Sequence, residues 1–159
     1  MKRKILCLLL VALLTIIILS SCNNTNMPFN GDITFHNISL TVDEKFIRDS
    51  TQSTDDLWFF EKGFYREYII LSRKDAGKNI AESLSNYADY LIEQGVDAEI
   101  ATFLNDDAVF SSYTQDGMYC QEVLFPHDGS FYAISLRGGT EEDFNTLITT
   151  VQIATNTDS

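Results

Sequence analysis

The side chains able to do chemistry are few and scattered: three cysteines (Cys7, Cys22, Cys120) and two histidines (His36, His127) in 159 residues. No Cys, His and Asp spacing resembles a zinc site. Asn105, Asp106 and Asp107 offer three oxygen-bearing side chains. A calcium loop needs about six to eight oxygens, with an internal Gly and a distal Glu, so this triplet reads as a polar hairpin turn. Ser111 and Ser112 lack a G-x-S-x-G elbow and alternate along a strand. Cys120 shares a strand face with Met118, Glu122 and Leu124. With no basic neighbour in sequence to lower its pKa, it reads as a small buried hydrophobe rather than a nucleophile. Glu141, Glu142 and Asp143 look like charge matched to the positive end of a helix. The expectation is a non-catalytic domain with no metal and no cofactor.

Cys22 stands apart. Lys2, Arg3 and Lys4 form a positive start, and residues 5–19 are apolar except for Thr15. That run is short for a span of about 20 residues but suits the core of a signal peptide. It ends in Leu19-Ser20-Ser21-Cys22, which resembles the bacterial lipobox: a branched apolar residue, two small residues and a cysteine. The resemblance implies that residues 1–21 are removed and that Cys22, as the new N-terminus, carries a diacylglycerol thioether and fatty acyl chains such as palmitate. Two or three acyl chains, at about 0.8 kcal/mol per buried CH₂, hold a domain on a bilayer stably. The expected location is the extracytoplasmic face of the cell membrane, or the outer membrane in a double-membrane host.

Charge agrees with a domain that stands off that surface. The chain has 11 Lys and Arg against 23 Asp and Glu, a net charge of −12. Loss of the three basic residues of the signal would leave eight basic side chains and a net charge of −15. An anionic domain is repelled by an anionic leaflet and lacks the basic patch a nucleic acid requires. Residues 22–31 read as a polar tether, residues 32–155 as one domain and residues 156–159 as a frayed tail. With Cys7 removed and Cys22 acylated, Cys120 has no intrachain partner, so the core must supply stability without a disulfide.

The domain alternates at period two before and after a helical segment. Strands are predicted over residues 33–35, 38–42, 57–61, 64–72, 98–104, 108–114, 118–125 and 130–137, with a short one near 46–48. Asp116-Gly117 and Asp128-Gly129 mark two tight turns. Asn79 and Glu82 form a capping pattern, Ile80, Leu84, Tyr87, Ala88 and Leu91 recur at helical spacing, and Gly95 supplies the stop. A second helix starts at Thr140 and carries Phe144, Leu147, Ile148 and Val151. The order predicts an α+β fold: a mostly antiparallel β-sheet with a meander, packed by two helices as a three-layer α/β/α sandwich.

Trp58, Phe59, Phe60, Phe64, Tyr65 and Tyr68 crowd into two adjacent predicted strands. Such a hairpin needs large side chains for a core, but exposed aromatics are also binding anchors. Trp58, Phe60, Phe64, Tyr65 and Tyr68 are therefore the candidate binding surface.

The arrangement resembles the PsbP-like fold, shared with the DcrB-like bacterial lipoproteins. The pattern runs from Ile38-Ser39-Leu40-Thr41-Val42 through Tyr68-Ile69-Ile70-Leu71 and the helix ending at Gly95. It finishes with Phe131-Tyr132-Ala133-Ile134 and the helix around Phe144-Asn145-Thr146-Leu147-Ile148. The resemblance implies binding or scaffolding rather than a reaction. The expected function is that of a lipid-anchored domain binding another envelope protein. The alternative is a small-molecule or lipid carrier with a pocket between sheet and helix.

Overall fold

Two-residue turns fix the order of four consecutive strands. The computed structural model describes residues 31–63, 66–76 and 79–153; Cys22, Phe64, Tyr65, the signal segment and the tail beyond residue 153 lie outside them. Strands β6 (Asp97–Phe103), β7 (Asp106–Gln115), β8 (Met118–His127) and β9 (Ser130–Arg137) follow one another as a meander. Both residues of each linking turn have positive φ: Leu104 and Asn105 (51°, 74°), Asp116 and Gly117 (53°, 76°), Asp128 and Gly129 (46°, 70°). Positive φ at both centres is the type I′ geometry whose twist suits a two-residue hairpin. Asp–Gly supplies it at two turns; at the third Asn105 carries the signal and Leu104 does not.

The meander extends on its other side to β5 (Glu67–Asp75), β4 (Leu57–Lys62) and β3 (Ile47–Arg48). The seven strands run in the order β3-β4-β5-β9-β8-β7-β6, and every pairing is antiparallel. β5 starts at Glu67 and continues to Asp75, whereas the sequence pattern places it at 64–72. Arg66, just ahead of it, has φ 53°, a break that alternation alone does not reveal.

From β5 the chain must reach the far edge at β6, and helix α1 (Ile80–Glu93) makes that crossing over one face of the sheet. The Asn79 side chain accepts from the Glu82 N–H at 3.4 Å, and its amide donates to the Glu82 carboxylate at 2.6 Å. At the other end Gly95, at φ 77°, lets the Val96 N–H turn back to the Leu91 carbonyl at 3.0 Å. Leu84 and Ala88 are buried against Val109, with Ile80, Tyr87 and Leu91 packed beside Ala98, Leu124 and Phe131.

The opposite face is covered by a mixed layer. Strands β1 (Gly31–Phe35), β2 (Ile38–Val42) and β10 (Gln152–Ile153) form a separate three-stranded sheet, ordered β1-β2-β10. Gly31, the expected end of the tether, opens β1. Helix α2 (Glu141–Thr149) lies in the same layer. Its capping box is reciprocal: Thr140 Oγ1 accepts from the Asp143 N–H at 3.1 Å, and Asp143 Oδ2 accepts from the Thr140 N–H at 2.9 Å. Ile33, Phe35, Ile38, Leu40 and Val42 from the small sheet and Phe144 and Leu147 from α2 close over Phe60, Ile69, Leu71, Val123, Phe125, Ile134 and Leu136.

The fold is thus α+β with mostly antiparallel strands and two helices, in three layers. One outer layer combines α2 with the small sheet instead of holding a helix alone. Alternation identifies β1 and β2 as half-buried strands but carries no information about which sheet they join. Among the described residues no helix is long and apolar enough to cross a membrane.

Candidate functional site

Successive side chains of a strand point to opposite faces, and this divides the aromatic cluster of β4 and β5. Phe60 faces the small sheet and is fully buried, so it belongs to the core and to no surface. Trp58, two residues away, shares that face but is half-buried. Its ring lies edge-on to Phe35, with centroids 5.1 Å apart, and the Arg48 guanidinium stacks 3.9 Å from its centroid. Burial lowers the Arg48 pKa. Tyr68 lies on the α1-side face, 5.3 Å from Phe59 between ring centroids. Of the five expected surface residues, then, Trp58 and Phe60 face one way and Tyr68 the other. Phe64 and Tyr65 fall outside the described residues.

The α1-side face holds a polar cluster. Glu122 on β8 is opposite Ser135 on β9 and Ser111 on β7. The Ser135 hydroxyl donates to Glu122 Oε2 at 2.6 Å, and the Tyr87 hydroxyl, reaching down from α1, donates to Oε1 at 3.3 Å. Burial, reinforced by the Glu122 carboxylate, pushes the Tyr87 pKa up to about 12. Tyr113 is raised for the same two reasons. Cys120 is buried, and that burial raises its thiol pKa despite the nearby Arg137. Arg137 pairs across the sheet with Tyr68 and Cys120, and its buried Nε has no hydrogen-bond partner. A carboxylate already bonded to two hydroxyls and a thiol held protonated do not make an activated nucleophile. They make a hydrogen-bonded polar row under α1.

That polar row borders an apolar one. α1 rests on β6 and β7 and reaches as far as Leu124 and Phe131. On the same face, outside this footprint, β4 and β5 present Leu57, Phe59, Tyr68 and Ile70, all half-buried. Sequence reasoning selected Tyr68 from this strip and missed Leu57, Phe59 and Ile70. Their strand parity with Tyr68, once β4 and β5 are paired as Phe59↔Ile70 and Glu61↔Tyr68, is the signal that finds them.

A cavity of about 300 Å³ lies between α2 and the sheet, floored by Phe46, Ile69, Leu136 and Leu147. Lys62 and Glu67 close its rim with a 2.6 Å ion pair. That hydrogen bond, with the charges of Glu67, Asp43 and Asp143, raises the Lys62 pKa and keeps the ammonium charged.

The two histidines, unrelated in sequence, meet at one end of the sandwich. The rings of His36 and His127 lie 6.4 and 6.1 Å from that of Tyr132. His36 Nε2 is 3.0 Å from the Asp55 carbonyl oxygen and 3.1 Å from Asp56 Oδ1; both are acceptors, so Nε2 carries hydrogen. Asp56 also accepts from Arg73 Nη1 at 3.2 Å. Among the described residues no group of three or more His, Cys, Asp or Glu side chains is arranged to hold a metal.

No protein-family model matches the sequence, and no curated protein does. Solved structures do. A protein from Bacteroides thetaiotaomicron VPI-5482 superposes with a TM-score of 0.54 at 10% identity, over 80% of this chain and 49% of that one, so this chain spans about half its length. Cyanobacterial PsbP (CyanoP) from Synechocystis sp. PCC 6803 superposes with a TM-score of 0.54 at 10% identity, over 83% of this chain and 96% of that one. At such identity the likeness is one of fold: the domain has the PsbP-like fold.

Proposed function

We propose that this chain is an extracytoplasmic lipoprotein, anchored through acylated Cys22, whose domain binds another envelope protein through the α1-side face of β4, β5 and β9. The observation that carries the binding reading is the strip of Leu57, Phe59, Tyr68 and Ile70 beyond the footprint of α1. Aromatic and aliphatic anchors beside a polar row match the anatomy of a protein interface. The anchor reading rests on Leu19-Ser20-Ser21-Cys22 after its apolar run.

Two measurements test the two halves. Mass spectrometry of the native protein should find a chain beginning at Cys22 and carrying a diacylglyceryl group; an uncut chain starting at Met1 overturns the anchor. A photo-crosslinking residue at position 59 or 68 should capture one discrete envelope protein in cells, while the same residue at Asp107, on the exposed β6–β7 end, should not. Equal capture from all three positions overturns the interface.

The carrier reading is kept by one observation, the cavity of about 300 Å³ between α2 and the sheet, at the lower end of ligand-pocket volumes. Native mass spectrometry of protein purified from cells tests it: a co-purifying small molecule lost on Leu147→Trp supports it, and ligand-free protein removes it.

A further inference from the structure

The seven-stranded sheet is wider than the layer that covers it on the α2 side. Beyond α2 its face continues across β8, β7 and the edge strand β6, and the step leaves a groove of about 350 Å³. Phe110 and Phe144 line it, and the half-open ring of Tyr119 stands at one side. Asp97 and Glu99 enter from the edge strand, Glu141 from the first turn of α2, and no lining side chain is basic. Gln121 is buried within it. The residue is only 8% exposed, lines the groove beside its cross-strand neighbour Ser112, and its Oε1 has no hydrogen-bond partner. A buried amide acceptor left unbonded is costly to the fold.

We propose that this groove binds an organic cation, a primary ammonium or guanidinium group. The chemistry of each wall points the same way. The exposed Tyr119 ring can attract a cation that has shed part of its water, and carboxylates pair with its N–H donors. The Gln121 amide, unbonded at its oxygen, turns about its terminal torsion to offer that carbonyl to one N–H. A chain of net charge −12 concentrates cations around itself before any contact is made. A metal ion is a poorer fit: a hard cation needs six to eight converging oxygens, and the acidic side chains here do not form a metal-holding group. The positive end of α2 does not cancel the site, because Thr140 and Asp143 already bond each other's backbone N–H groups. This site lies on the other side of the sheet from the proposed protein interface and does not depend on it.

The test is a titration of the folded domain, tethered to its native length, with cadaverine and with arginine amide, followed by the side-chain amide NMR signals of Gln121 and Asn145. Sodium chloride at matched ionic strength is the control. The expected result is saturable movement of both amides with one or both amines and none with salt. Glu99→Gln combined with Asp97→Asn should weaken binding at least about tenfold, the loss expected for charge-assisted hydrogen bonds. Gln121→Leu should abolish binding and at the same time raise the unfolding midpoint, because the orphaned amide is gone. Saturation with cadaverine alone identifies a free amine as the ligand class, and with arginine amide alone a guanidinium. Movement that never saturates, or that salt reproduces, overturns the proposal. So does a Gln121→Leu variant that is less stable than the parent, since the amide would then be a structural bond.

Discussion

Ser135 and Glu122 face each other across β9 and β8, and the serine hydroxyl donates to the carboxylate at 2.6 Å. Ser135 is 4% exposed, so this hydrogen bond to a charged acceptor is sheltered from competing water. Tyr87 supplies the other donor. Ser135→Ala should therefore cost about 1.5–3 kcal/mol in urea unfolding, the range for a bond to a charged group net of solvation. Tyr87→Phe should cost less, because its bond is 3.3 Å long. The double variant should lose more than the sum, since Glu122 is then left without either hydroxyl. Strict additivity would mean that the two hydroxyls do not share the carboxylate.

Tyr87 also makes that cluster legible to pH. Its folded pKa, about 12, lies above the ordinary phenol value near 10. The folded chain thus holds the phenolic proton more tightly than the unfolded chain. The stabilisation is fully present below about pH 10. It is lost as pH rises from there towards 12. An ultraviolet titration should show a last tyrosine step that disappears in Tyr87→Phe, while the raised Tyr113 still ionises late. A wild-type titration without a late step, or one that Tyr87→Phe leaves unchanged, would remove the assignment.

Gly138 and Gly117 separate two costs of a side chain. Both have positive φ, 81° and 76°. A Cβ at Gly117 meets nothing within 4 Å, whereas one at Gly138 collides with the Arg66 carbonyl oxygen. Gly117→Ala should cost about 1–2 kcal/mol, the left-handed penalty alone. Gly138→Ala must add a backbone displacement where β9 leaves the sheet beside β5, and should cost clearly more in the same denaturant series. Equal losses would show that the Arg66 carbonyl yields freely.

How far the sequence anticipates this molecule depends on how local each signal is. The α1 boundaries follow from Asn79, Glu82 and Gly95, because capping is settled within a few residues of the helix end. The Asp–Gly turns are legible for the same reason. Non-local facts are not. Nothing in Ile38-Ser39-Leu40-Thr41-Val42 says that its partners are β1 and a two-residue strand at Gln152–Ile153 rather than an edge of the large sheet. His36 and His127 reach Tyr132 only because the β1–β2 and β8–β9 turns end on the same side, where the Asn37 amide lies 3.4 Å from Asp128 Oδ2. The candidate surface is divided between two faces for a simpler reason. Phe60 and Tyr68 belong to opposite faces, and a cluster chosen by aromatic density ignores parity. Gln121 carried a usable signal: it is a polar residue on the parity of Val123 and Phe125, whose faces are core.

Cys120 tests whether the domain uses its chemistry or merely contains it. The residue is 1% exposed, and its Sγ lies 3.5 Å from the Met118 carbonyl oxygen. Burial raises its pKa, with Arg137 opposing. Reaction with a thiol reagent requires both access and thiolate, and the folded state withholds both. Labelling of the native domain should therefore be limited by global opening, and its rate should climb with urea in step with unfolding. Cys120→Ala should lower stability by about 1–2 kcal/mol through the small cavity it leaves, while crosslinking from position 68 continues at the parental level. Rapid native labelling, or loss of that crosslink without loss of fold, would make Cys120 a working thiol and reopen a redox role for the α1-side face.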